Sequence, residues 1–335
     1  MTRIAILGAG IWGTALSLVL SRSPRSHEIS LWVRDAGLAE EIRRRRENVS
    51  YLPGHALPDQ IRVAHELDKA LSAATIIVGA MPSAHAREVY SAAAGRVAPY
   101  TAVVSATKGL EPATHARMSE VIAQSLPAAY APRLAVLSGP SFALEVAHGF
   151  SPTAVVLASH DAALAAELQE EFAAPNFRLY TNDDILGVEL AGAMKNVIAI
   201  AAGTCQGLAL GSNSLAALIT RGLAEMSRLA FALGAKPETL SGLAGLGDLV
   251  LTCTGSLSRN RHVGMELGKG RLLAEIIAGM HGVAEGVGTA AALLALAGEH
   301  NIELPITTQV EAILHHGKSP REAIRAIMER PQRKE

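Results

Sequence analysis

Cysteine is nearly missing from this chain: of 335 residues, only Cys205 and Cys253 are cysteines. Two thiols are too few for a disulfide framework or a zinc site and suit a reducing compartment, where each reads as a small buried hydrophobe. No metal ligand set is expected. Aromatic residues are also scarce, at 4%, while Ala and Gly are abundant, a composition that suits closely packed helices and loops that approach ligands. Neither sign of charge is in excess. With 30 Lys and Arg against 31 Asp and Glu, the net charge is -1, so no global field draws the chain to nucleic acid or an anionic membrane, and any bound anion must be held by local charges. Apolar runs long enough to span a bilayer are all interrupted by glycine or polar residues. The first strand candidate, Arg3-Ile4-Ala5-Ile6-Leu7, begins almost at the initiator methionine and leaves no room for a signal region. The expected setting is the cytoplasm, with no nucleic-acid partner and no stable membrane insertion.

The sequence does have the length and the 49% hydrophobic content to build two domains, each with its own core. Short apolar runs bounded by turn residues recur at Ile4–Leu7, Ile29–Val33, Thr75–Gly79, Ala102–Ser105, Leu134–Leu137, Thr153–Leu157 and Phe177–Tyr180. They read as buried strands. Helical stretches such as Trp12–Ser21 and Ala113–Gln124 lie between them, and this alternation predicts a parallel sheet covered on both faces. After Tyr180 the text turns to long helical segments: Leu186–Ala202, Ser214–Leu233 with Gly234 as its cap, Val287–His300 and Thr307–His315. The predicted fold is therefore a Rossmann-type doubly wound α/β domain over 1–181, followed by an all-α domain over 182–335. The run Arg43-Arg44-Arg45-Arg46 follows Glu40-Glu41 on a predicted helix and lacks interleaved aromatics, so it reads as a solvated face. The tail from Arg330 is expected to be disordered.

Gly8-Ala9-Gly10-Ile11-Trp12-Gly13 follows the first strand and opens a helix, the context a dinucleotide fingerprint requires. Gly8 permits the tight turn, Gly10 the approach of backbone to a pyrophosphate, and Gly13 close packing of helix on strand. About twenty residues on, at the ribose-reading position, stand Arg34 and Asp35. The first suits the 2'-phosphate of NADP, and the second keeps NAD open. Lys108 and the Ser138-Gly139-Pro140-Ser141 segment follow predicted strands, at the edge where open α/β sheets bind ligands. Lys195-Asn196 sits inside a helix, with Gly192, Ala191, Ala199 and Ala202 three to seven positions away. A lysine on such a strip is partly desolvated, which favours loss of its proton and suits proton transfer, although a packing lysine at a helix seam fits the periodicity equally well. Gly245-Leu-Gly-Asp248-Leu249, Thr252 and Ser258-Arg259-Asn260-Arg261 form the densest polar and glycine cluster of the second half. There Asp248 can orient a hydroxyl or a lysine, and Arg259 offers a planar fork for phosphate. Taken singly, an N-cap aspartate and a solvated turn explain these residues as well.

Six separated motifs together resemble bacterial NAD(P)-dependent glycerol-3-phosphate dehydrogenases: Gly8-Ala-Gly-Ile-Trp-Gly13, Ala106-Thr-Lys-Gly-Leu-Glu111, Leu137-Ser-Gly-Pro-Ser-Phe142, Lys195-Asn196, Gly245-Leu-Gly-Asp-Leu249 and Ser258-Arg-Asn260. The resemblance runs in order over essentially the whole chain. It implies a Rossmann domain, a helical substrate domain and a reaction in the cleft between them. By position it implies cofactor roles for Ile11, Trp12, Arg34, Lys108, Ala143, Val283 and Glu285, joined by Tyr51, with Arg259 serving cofactor and substrate. Lys108, Gly139, Ser141, Asp248, Ser258, Arg259 and Asn260 match the glycerol-phosphate site. Lys195 matches the proton-transferring residue, with Lys108, Asp248 and Asn196 orienting it and the reacting oxygen. Ile11 departs from the family's frequent serine, a change that backbone contacts survive. The implied cofactor is NADH or NADPH and the substrate pair dihydroxyacetone phosphate and sn-glycerol 3-phosphate, leading to glycerophospholipid synthesis. A homodimer is left open. The rival readings are a 3-hydroxyacid dehydrogenase or ketopantoate-type reductase, which takes a carboxylate rather than the phosphate that Lys108 and Arg259 suit, and a non-catalytic NAD(P) sensor, which has no need of an intrahelical lysine.

Overall fold

The computed structural model describes residues 1–126, 133–280 and 282–331. The chain divides into two compact units, Met1–Glu111 with Ala116–Glu189, and Pro112–His115 with Leu190–Glu335. The predicted tail lies, from residue 332 on, outside the described residues.

The first unit holds an eight-stranded sheet made of β1 (Thr2–Leu7), β2 (His27–Trp32), β3 (Ile61–Ala64), β4 (Ile76–Gly79), β5 (Ala102–Ser105), β6 (Leu134–Ser138), β7 (Thr153–Ala158) and β8 (Phe177–Asn182). Its order is β3-β2-β1-β4-β5-β6-β7-β8, and every pairing is parallel except β6 with β7. The helices are α1 (Ile11–Ser21), α2 (Ala36–Arg45), α3 (Leu67–Leu71), α4 (Ala86–Ala93), α5 (Met118–Ser125), α6 (Ala143–His148) and α7 (Ala162–Phe172). Alternation in the central strands explains why both faces are covered. Ile4, Ile6, Ile76, Val78 and Val104 enter one apolar cluster, while Ala5, Leu7, Ile77 and Val103 enter the other. Near-continuous apolar strands are what a parallel sheet buried on both sides demands.

The seven strands expected from sequence are all present, and β3 is an addition. Ile61-Arg62-Val63-Ala64 buries only Ile61 and Ala64 and exposes Arg62; at the sheet edge it needs only one apolar stripe and gives a weak signal. The antiparallel β6–β7 pair also departs from a wholly parallel sheet. The helix expected from Ala113 starts only at Met118. His115 takes a left-handed φ of 60°, which breaks the turn before it, and the Glu120 carboxylate accepts the Arg117 N–H at 2.8 Å to mark the true start. Arg43, Arg44 and Arg45 end α2 on the exposed face expected of the run, with Arg43 paired to Glu40 and Arg45 to Glu41, but Arg46 departs from it: as the left-handed C-cap it turns inward and donates to the Leu57 and Ile61 carbonyls.

The second unit is helical among its described residues: α8 (Ile185–Gly207), α9 (Gly211–Ala232), α10 (Pro237–Ser241), α11 (Asp248–Thr254), α12 (Arg259–Gly268), α13 (Leu273–Ala278), α14 (Glu285–Glu299), α15 (Pro305–His315) and α16 (Pro320–Met328). The division between units falls inside α8, after Glu189. Gly234, φ 99°, follows α9 as a left-handed cap. By length and composition α8 could cross a membrane, since its 23 residues contain a window of mean hydropathy 1.6, but 94% of that window is buried inside the protein. Its apolar character is that of a core helix carrying Glu189 and Lys195. Cys253 is buried, and burial pushes its thiol up to about 12, so it stays protonated and inert at neutral pH.

Candidate active site

In the first unit the glycine loop sits where β1 meets β4, the point at which strand order reverses. Gly8 has φ 116°, and a Cβ there would meet the Ala80 backbone at 3.0 Å. A Cβ on Gly13 would stand 1.8 Å from the Gly8 carbonyl oxygen, so α1 can lie on the loop only without a side chain. Around Gly10 the space is open, with nothing within 4 Å of an added Cβ. No side chain caps α1, and its first turn holds no acid, so its amides and the positive end of its dipole remain for an anion. These residues fit a dinucleotide pyrophosphate. Ile11, Trp12 and Gly13 form the first turn of α1, and the buried Trp12 indole nitrogen has no protein partner among the described residues.

Arg34 is exposed just beyond β2, while Asp35 turns back to cap α2, accepting the Leu38 N–H at 2.7 Å. That leaves the arginine as the side chain suited to a ribose substituent. Tyr51 is 38% exposed in the loop after α2. Lys108 and Ser141 converge on Gly139: Lys108 Nζ donates to its carbonyl at 2.9 Å and Ser141 Oγ at 3.0 Å. Gly139 has φ 128°, and Val155 Cα would lie 3.1 Å from an added Cβ, which fixes glycine at this turn. Ala143 opens α6 directly after it.

In the second unit Lys195 is buried on α8, its side chain 8% exposed against 1% for Asp248. Its ammonium donates to Asp248 Oδ1 at 2.7 Å and to Thr252 Oγ1 at 2.8 Å. Asp248 and Thr252 are one turn apart on α11, and the Thr252 hydroxyl donates to the Asp248 carbonyl at 2.6 Å. Largely out of contact with bulk water, the ammonium is held by this carboxylate and hydroxyl. Asn196, the next residue on α8, accepts from Asn260 Nδ2 at 2.9 Å, and Asn260 Oδ1 accepts the Gly286 N–H at 2.9 Å. The Ser258-Arg-Asn segment is therefore not a solvated turn. Ser258 is a buried N-cap that accepts from Arg261 N at 3.2 Å, and the Asn260 carboxamide ties α8 to α12 and α14. Arg259, first in α12, remains accessible to solvent. Desolvation draws its pKa down and Glu285 opposes that shift, but a guanidinium stays charged throughout the physiological range. Val283 is 48% exposed, and Glu285 is the first residue of α14.

The two halves of the chain match family models described as NAD-dependent glycerol-3-phosphate dehydrogenase N-terminus, over residues 3–165, and C-terminus, over residues 184–325. The chain belongs to the NAD-dependent glycerol-3-phosphate dehydrogenase family. A relative named glycerol-3-phosphate dehydrogenase (NAD(P)+) from Koribacter versatilis is 54% identical over 332 residues, covering 99% of this chain and 98% of the relative. One of the same name from Geobacter sulfurreducens is 48% identical over 328 residues, covering 98% and 97%. The crystal structure of glycerol-3-phosphate dehydrogenase from Coxiella burnetii matches with a TM-score of 0.93 at 43% identity, over 98% of this chain and 99% of that one. A ketopantoate reductase from Ralstonia eutropha, with a TM-score of 0.59 at 15% identity over 96% of this chain and 100% of that one, shares the fold alone.

Two features of this glycerol-3-phosphate dehydrogenase family member escape sequence reasoning. Thr252 stands in the polar cluster, but only its spacing from Asp248 on a helix hints that both face one lysine. The second is the glycine seam between α8 and α12. A Cβ on Gly264 would sit 1.9 Å from the Ile200 carbonyl oxygen, and one on Gly203 would sit 1.9 Å from that of Arg261. The seam holds Asn196 against Asn260. Gly264→Ala is expected to push the helices apart at a cost of roughly 1–3 kcal/mol, the usual range for overpacking, and to raise KM for the phosphorylated substrate. Thermal melts and steady-state kinetics check this; an unchanged melting temperature would show that the seam yields freely.

Proposed function

We propose that the chain catalyses reversible hydride transfer between NAD(P)H and dihydroxyacetone phosphate, giving sn-glycerol 3-phosphate for glycerophospholipid synthesis in the cytoplasm. The observation that carries this reading is the buried Lys195 ammonium held by Asp248 and Thr252 in a chain 54% identical, over nearly its full length, to a glycerol-3-phosphate dehydrogenase. In this reading residues 1–181 hold the cofactor through Gly8, Gly10, Ile11, Trp12, Gly13, Arg34, Tyr51 and Ala143, and residues 182–335 the substrate. Lys108, Gly139 and Ser141 are assigned to the glycerol-phosphate as well. Arg259, Val283 and Glu285 are assigned to the cofactor from the second part. The partners are small molecules rather than nucleic acid or membrane, and a homodimer is the assembly that sedimentation velocity would test.

When bound, the nicotinamide supplies a hydride to the ketone carbon or takes it back. Lys195 gives its proton to the carbonyl oxygen as negative charge develops there, and receives it in the reverse direction. Asp248 and Thr252 hold the ammonium, while Asn196 fixes the turn of α8 that carries it. Ser258, Arg259 and Asn260 take the phosphate, whose binding energy positions the distant carbonyl.

Steady-state oxidation of NADPH and NADH with dihydroxyacetone phosphate, set against 2-oxo acids and ketopantoate, tests the reading. Dihydroxyacetone phosphate is expected to give by far the highest kcat/KM; a higher value for ketopantoate or a 2-oxo acid would overturn it. Cofactor binding without turnover of any of them would point to a sensor. The exposed Arg34 adds that NADPH is used at least as well as NADH. Arg34→Ala is expected to raise KM for NADPH about 10- to 100-fold, the worth of one charge-assisted contact, with little effect on NADH. Equal losses for both cofactors would remove Arg34 from the 2'-phosphate.

A further inference from the structure

We propose that Asn48, which lies outside the glycine motif, is a positioning residue that sets the orientation of the Ala9–Gly10 peptide and thereby aims the Gly10 N–H at the dinucleotide. Asn48 is fully buried. Its Nδ2 donates to the Ala9 carbonyl at 2.9 Å and to Thr14 Oγ1 at 2.8 Å, so one carboxamide bridges the start of the turn to the first turn of α1. A trans peptide places its C=O and N–H on opposite sides. With the Ala9 oxygen drawn inward to Asn48, the Gly10 N–H must face away from Asn48, and Gly10 is the residue whose Cβ position opens onto free space.

The surroundings of Asn48 are built to hold it. The Asn48 carbonyl accepts the Leu52 N–H at 2.7 Å, and Glu47 Oε1 accepts the Gly54 N–H at 2.7 Å. The Arg46 guanidinium donates to the Leu57 and Ile61 carbonyls, each at 3.1 Å. This stapled segment carries Asn48 inward and Tyr51 outward. The carboxamide is held through its donor side, since Asn48 Oδ1 is buried without a partner among the described residues. Swapping the amide's oxygen and nitrogen would face oxygen against the Ala9 oxygen, so the donor assignment is fixed by its neighbours.

The inference rests on the cofactor reading above, and its test separates the two. NADH and NADPH dissociation constants are measured by fluorescence titration for wild type, Asn48→Ala and Asn48→Asp, with melts and steady-state kinetics alongside. Asn48→Ala is expected to raise Kd for both cofactors about tenfold, while kcat and the substrate KM at saturating cofactor move less than about twofold. Asn48→Asp is expected to bind poorly at alkaline pH and to regain affinity as the pH falls, because only the protonated carboxyl can donate to the Ala9 carbonyl; a purely structural role gives no such recovery. In the wild type, which needs no variant to fold, the Gly10 amide is expected to exchange rapidly without cofactor and slowly with NADH. Unchanged affinity in Asn48→Ala, no acid recovery in Asn48→Asp, or an unprotected Gly10 amide would each overturn the proposal. A wild type that binds neither cofactor would instead overturn the cofactor reading itself.

Discussion

Lys195→Ala is expected to cut kcat for dihydroxyacetone phosphate reduction by about 10²- to 10⁴-fold, the usual worth of a positioned acid–base group, while leaving Kd for NADPH near its wild-type value. The helix position alone predicts nearly normal folding for this variant. The ion pair changes that expectation. Removing Lys195 breaks its ion pair with a carboxylate that is 1% exposed, and taking away one partner of a buried ion pair is destabilising by roughly 3–5 kcal/mol. The single variant should therefore melt lower. Lys195→Ala combined with Asp248→Ala removes both charges of the pair. It is expected to regain much of the melting temperature and none of the turnover. A lysine present only for packing predicts the reverse, with activity following stability. A Lys195→Ala enzyme that turns over within about threefold of wild type, a difference of well under 1 kcal/mol, would remove Lys195 from the mechanism and reopen the choice between Lys108 and Asp248.

The contrast between that expectation and the sequence-level one shows which part of the site is legible without coordinates. The strands that cover a two-sided sheet announce themselves because nearly every residue in them is apolar. The glycine loop announces itself because its geometry tolerates nothing else at Gly8 and Gly13. Lys195 can be placed on a helix by periodicity, but its partner is 53 residues away, and no local pattern encodes that pairing. Single motifs misled in the same way. Ser258-Arg-Asn has the composition of an exposed turn, yet Ser258 and Asn260 are buried because a distant glycine seam brings α8 against α12. Asn48 belongs to no motif, and its meaning appears only when the fold lays it beneath Ala9. Local backbone demands are written in residue type; long-range pairings are consequences of packing.

Arg259→Ala is expected to lower kcat/KM for dihydroxyacetone phosphate by about 10²- to 10⁴-fold, since a guanidinium can give a phosphate two charge-assisted hydrogen bonds worth roughly 1.5–3 kcal/mol each. Arg259 is the exposed first residue of α12, where the helix dipole favours an anion, and its guanidinium stands beside Gly282, where an added Cβ would meet Nη1. Asn260, its neighbour, is fixed by bonds to Asn196 and Gly286, so the helix start that carries Arg259 is anchored before any ligand arrives. A remote phosphate grip of this kind works through binding energy used at the reacting carbon, so kcat should fall along with saturation. The slow reduction of unphosphorylated dihydroxyacetone never makes the contact and should change less than about threefold. Arg259→Lys keeps the charge but loses the planar fork, and is expected to fall between the two. Because Glu285 faces the same guanidinium, Kd for NADPH must be measured on each variant. If dihydroxyacetone and its phosphate lose activity equally, or if cofactor affinity falls by the whole amount, Arg259 serves the cofactor or the fold and the phosphate must be held elsewhere, with Lys108 the next residue to test.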